Sequence, residues 1–83
     1  MSLAEEIRNS FQLPEEFFNK YAIPSLRAGG RFSVVSGRHV GEIVNYAIPE
    51  KYEHSLVEWA MDNGFNIGYH YNSYGVKHVD ITI

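Results

Sequence analysis

Cysteine is absent from this 83-residue chain, which excludes disulfides, thiolate catalysis and every zinc site built on sulfur, and fits a reducing compartment. Long apolar runs are also missing: no stretch approaches the roughly 20 residues that a membrane-spanning helix needs. The amino terminus carries Glu5 and Glu6 and no apolar run, so it reads as neither a signal nor a transit peptide. The cytoplasm is the expected location. Charge is scarce, with a net value of −3, too small to point to a nucleic-acid or membrane partner. Nothing in the composition or motifs calls for a cofactor. A chain this short buries only about 60–65% of its unfolded surface. Without disulfides or an evident metal, oligomerisation is the expected source of added stability.

What is present is a globular balance of residues, 45% apolar and 20% charged, enough for one packed domain over residues 1–83. Local signals divide that domain into four parts. Residues 1–30 read as helical. Ser2 and Glu5 form a capping-box pattern, Leu3, Ile7 and Phe11 repeat every fourth residue, and Pro14 opens a second helix with Glu15 and Glu16 in its first turn. Pro24 predicts a kink or restart, and Gly29-Gly30 a stop.

From Arg31 the apolar period changes to alternation, and residues 31–46 read as a hairpin. A type II′ turn at Gly37-Arg38 would pair Phe32 with Ile43, Val34 with Gly41 and Ser33 with Glu42. Pro49 then starts a helix over residues 49–62, with Tyr52, Leu56, Trp59 and Ala60 on its apolar side and Asn63-Gly64 at its end.

Residues 65–83 read as a second hairpin whose register follows from its pattern. A three-residue loop with Gly75 as a left-handed bulge pairs Tyr69 with Val79, Ile67 with Ile81 and Phe65 with Ile83. Every apolar residue then falls on one face. The order is ααββαββ. The expected class is α+β, with a four-stranded, mainly antiparallel sheet and helices packed on one face. The tetrapeptide Tyr-Ala-Ile-Pro occurs at residues 21–24 and again at 46–49, in flanks that do not match.

Three groups of residues could carry a function. In the hairpin register His70 faces His78, and Asp80 shares their side of the sheet. Two imidazoles and a carboxylate suit a metal, or the acid–base work of a small hydrolase or nuclease. Polar side chains on a wet sheet face are also ordinary.

Arg27, Arg31, Arg38 and His39 lie in an acid-free stretch with Gly29, Gly30 and Gly37. Arginines beside glycine amides can hold a phosphate, and Tyr69, Tyr71 and Tyr74 could stack on the bases of RNA. The glycines match no phosphate-loop spacing, however. The acids Glu50, Glu58 and Asp62, with Glu53 beside them, form a third group suited to a basic partner or to plain solvation. No serine sits in a nucleophile motif.

The six tyrosines and five phenylalanines favour a contact surface over a catalytic one. The expected function is therefore a non-enzymatic protein-interaction or regulatory module. It would partner itself as a homodimer, or another protein, with Val35, Val40, Val44 and Tyr46 on the contact face.

Overall fold

In the computed structural model, which describes residues 2–83, a four-stranded sheet carries its helices on one side. The first helix, α1 (Leu3–Asn9), starts where the Ser2 hydroxyl accepts the Glu5 backbone N–H at 3.2 Å. Its stripe is not buried: Leu3 and Ile7 are exposed, and Phe11 beyond its end packs edge-on to Tyr52.

Pro14, already at a helix-compatible φ of −65°, precedes α2 (Glu15–Phe17). One widened turn, Phe18–Ala22, has π-helical bonding and leads into α3 (Ile23–Gly29). Pro24 explains the widening. It lacks an N–H and its ring crowds the carbonyl four residues back, so the ladder loosens before it and resumes after it. Gly30, at φ +73°, ends α3 with its N–H on the Leu26 carbonyl.

Strand β1 (Arg31–Gly37) alternates as expected, burying Phe32, Val34 and Ser36. The hairpin expected over residues 31–46 does not form. A type II′ turn needs positive φ at Gly37, and among the described residues only Gly30, Gly64 and Gly75 have it. Residues 38–46 instead loop outward, and β2 (Ala47–Pro49) pairs parallel to β1, Val35 with Ala47 and Ser36 with Ile48. Phe32, expected opposite Ile43, lies opposite Ile81. The reason is burial. Val79 and Ile81 on the last strand and Ile48 on β2 are all fully buried beside β1, whereas Ile43 packs only partly against the core.

After Pro49, one 3₁₀ turn (Glu50–Tyr52) runs into α4 (Glu53–Asp62). The helix closes as the expected glycine stop, with Gly64 at φ +79°. The Phe65 N–H reaches the Ala60 carbonyl and the Gly64 N–H that of Met61, the paired bonds of a Schellman motif. Leu56 and Ala60 are fully buried, and Trp59 stacks on Phe18 at 4.4 Å.

The last two strands, β3 (Asn66–Tyr71) and β4 (Lys77–Thr82), form the expected hairpin in the expected register, Ile67 opposite Ile81 and Tyr69 opposite Val79. Gly75 sits at φ +75°, and the Asn72 N–H closes the loop on the Val76 carbonyl. The strand order is β2-β1-β4-β3, with only the β1–β2 pair parallel. The fold is α+β. No helix is long and apolar enough to cross a membrane among the described residues.

Candidate functional site

The sheet has two unlike faces. Phe32, Val34, Val79 and Ile81 point to the helices and form the core with Phe17, Phe18, Leu26 and Leu56. The alternate residues point the other way, where no helix among the described residues lies over them: Arg31, Ser33 and Val35 from β1, His78 and Asp80 from β4, and His70 from β3. The registers align Ala47, Val35, His78 and His70 in one row across all four strands. An apolar end of this face therefore meets a histidine end.

At the histidine end the three residues singled out by pattern do come together. His70 Nδ1 lies 2.5 Å from one Asp80 oxygen, and the Ser33 hydroxyl donates to the other at 2.6 Å. The His70 and His78 rings stack with centroids 4.5 Å apart and planes 10° from parallel. Beyond them the Asn72 amide contacts His78 Nε2 at 3.2 Å. Asn72 Oδ1 accepts the Tyr74 and Val76 N–H groups, so the nitrogen of that amide is the atom facing His78.

Asp80 is tuned by these neighbours. Burial would raise its pKa, but the hydrogen bonds from Ser33 and His70, with the attraction of both histidines, outweigh it. The carboxyl is held below its ordinary 3.8.

The chemistry open to this cluster is narrower than its composition suggests. A hydrolytic triad needs the imidazole between the hydroxyl and the carboxylate. Here the carboxylate is in the middle, and Ser33 donates to Asp80 instead of to an imidazole. The two imidazole planes lie only 10° from parallel, an arrangement of stacked rings and not of ligands facing a shared ion. Among the described residues, no group of three His, Asp or Glu side chains is placed to hold a metal ion. The His70 and Asp80 side chains remain 53% and 31% exposed, so water is not excluded.

At the other end, Val35, Val40, Val44 and Tyr46 line one hollow of about 370 Å³. The loop that replaced the expected hairpin brings them together. Ala47 and Val76 complete its apolar wall, with His39 and Glu42 also lining it. Val76 had a signal in the sequence: it lies two residues before His78 and so points to the same side of the sheet.

The arginine group does not converge. Arg38 is taken by Glu50 at 3.0 Å. Arg31 lies at the opposite end of β1, roughly 20 Å away along an extended strand. Arg27 is on the helix side, lining a separate hollow with Trp59 and Phe65, and His39 packs against Gly37. Tyr69 and Tyr71 point to the side of the sheet opposite Arg31.

Two acids of the helical segment 50–62, Glu50 and Glu53, hold cations. Glu50 holds Arg38, and His54 lies 3.5 Å from Glu58. Lys77 Nζ donates to Glu53 Oε2 at 3.1 Å, and that hydrogen bond raises the Lys77 pKa above its usual value. Compared with protein-family models, with curated proteins and with solved structures, the chain matches none of them.

Proposed function

We propose that this chain is a non-enzymatic interaction module that associates with a second copy of itself through the helix-free face of its sheet. One observation carries the reading: Val35, Val40, Val44 and Tyr46 line an apolar hollow on the sheet face that no helix among the described residues covers. Four apolar side chains gathered on a face meant only for water are a hydrophobic cost that a partner removes.

Charge favours a second copy as that partner. Arg31 and Glu42 are both exposed on this face, and neither holds an ion pair among the described residues. They lie toward opposite ends of it. A twofold axis between them sets each arginine against the other copy's glutamate, in the self-complementary way that symmetric pairs use. The same face offers an enzyme little, since its carboxylate is already bonded to Ser33 and His70 in the open.

Light scattering at micromolar concentration tests the reading. Wild-type protein is expected above monomer mass, and Val40→Glu, which sets a charge in the hollow, is expected to halve that mass while the chain stays folded. A monomeric wild type, or a Val40→Glu variant of unchanged mass, sinks it.

A further inference from the structure

The sheet has two edges, and they are built differently. On the β2 side the edge is three residues long, buried, ends in Pro49, and is closed by the chain's own loop through the Val44 N–H on the Ala47 carbonyl. Short length, proline and a covering loop are the usual defences against pairing with another strand.

Strand β3 on the other side has none of them. Its six residues, Asn66-Ile67-Gly68-Tyr69-His70-Tyr71, include no proline and no Asp, Glu, Lys or Arg. It pairs with β4 residue for residue, without a bulge.

The register shows which backbone groups are open. Asn72 N–H bonds to Val76 at the loop, and bonded pairs alternate along an antiparallel ladder. His70, Gly68 and Asn66 therefore turn their backbone groups to β4. Ile67, Tyr69 and Tyr71 turn theirs outward, and no hydrogen bond to those outward groups is found among the described residues.

We infer that β3 is a second association surface, on which β3 of another copy adds antiparallel about a twofold axis at Tyr69. This goes beyond the face contact proposed above and does not depend on it. Centred there, Tyr69 meets its own counterpart and Ile67 meets the other copy's Tyr71, so all three outward residues find bonding partners at once. A strand without formal charge meets itself without repulsion, which is why a second copy suits it.

The side chains agree. Tyr69 and Tyr71 are both largely exposed on the helix side, and edge pairing sets them beside the other copy's. On the opposite side Gly68 falls across from the other copy's His70, and the space where a Gly68 side chain would stand is empty, leaving room for that imidazole. Edge and face contacts lie at right angles. Together they give a four-chain assembly of two continuous eight-stranded sheets laid face to face.

Two measurements test the edge. Tyr69→Pro removes an N–H that points away from β4, a position where edge strands tolerate proline. It is expected to halve the mass of the wild-type assembly, and to halve it again in a Val40→Glu background. That second comparison reports on the edge alone, whatever becomes of the face. Amide hydrogen exchange on unaltered protein gives an independent readout, in which the Ile67, Tyr69 and Tyr71 amides should be protected along with the inward Gly68 and His70. Unchanged mass in folded Tyr69→Pro overturns the inference, as do outward amides that exchange freely beside protected inward ones.

Discussion

The Ser55 hydroxyl accepts the backbone N–H of Leu13 at 2.9 Å in a buried site, joining α4 to the segment that leads into α2. Leu13 stands just before Pro14, outside any helical ladder, and its side chain is in the core. Its amide has no other partner among the described residues. A buried donor left unpaired costs about 1–3 kcal/mol, so Ser55→Ala should lose stability on that order although it deletes a single oxygen. Denaturant titration measures it. A loss below about 0.5 kcal/mol, the range of an ordinary surface change, would mean that another acceptor reaches Leu13.

Asp80 makes stability depend on acid. Its folded pKa lies below the ordinary 3.8, so at low pH the unfolded chain binds the proton more readily than the folded one. The stabilisation is present above 3.8 and is lost as pH falls through the folded value. Asp80→Asn, which cannot titrate, should show a shallower decline in melting temperature between about pH 5 and pH 2. Equal slopes for the variant and the parent would show that the Ser33 and His70 contacts do not hold in solution.

Gly75 carries the hairpin turn at φ +75°. A side chain there meets no neighbour within 4 Å, so any penalty comes from backbone strain and not from crowding. Gly75→Val should cost about 1–2 kcal/mol or somewhat more, since branched residues resist the left-handed region most. Gly41 is also uncrowded but lacks positive φ, so Gly41→Ala should stay within about 0.5 kcal/mol. Similar effects at both positions would argue against the bulged turn.

The second hairpin shows how much a sequence can carry. Alternation in Ile67, Tyr69, Val79 and Ile81 allowed one register that kept the apolar residues together, and Gly75 supplied the turn to match. Both signals are local, and the chain between them is short. The His70–His78–Asp80 cluster was legible for the same reason, since cross-strand neighbours follow directly from register. The order of bonding within it was not. Side-chain torsions decide that Asp80 stands between Ser33 and His70, and Ser33 comes from a strand 47 residues away in sequence.

The first hairpin failed where local signals competed with distant ones. Gly37-Arg38 could have made a tight turn, but β4, nearly forty residues on, offered β1 a fully buried partner face. The hollow at Val35, Val40, Val44 and Tyr46 depends on that outcome, because the loop left over from the missing hairpin forms much of its wall.

The clearest division lies in the repeated tetrapeptide. At residues 21–24, Tyr-Ala-Ile-Pro is helical, crossing from the widened turn into α3; at residues 46–49 its last three residues are strand β2. The sequence by itself determined the Ser2 cap of α1, the glycine stops of α3 and α4, and the register of the one hairpin whose turn and pattern agreed, whereas Pro49, expected to open a helix, ends β2. Tertiary structure alone decided which strand β1 would pair with, and therefore what the second copy of the tetrapeptide became. Four residues hold too little preference of their own to outweigh the burial of Ile48 against the core.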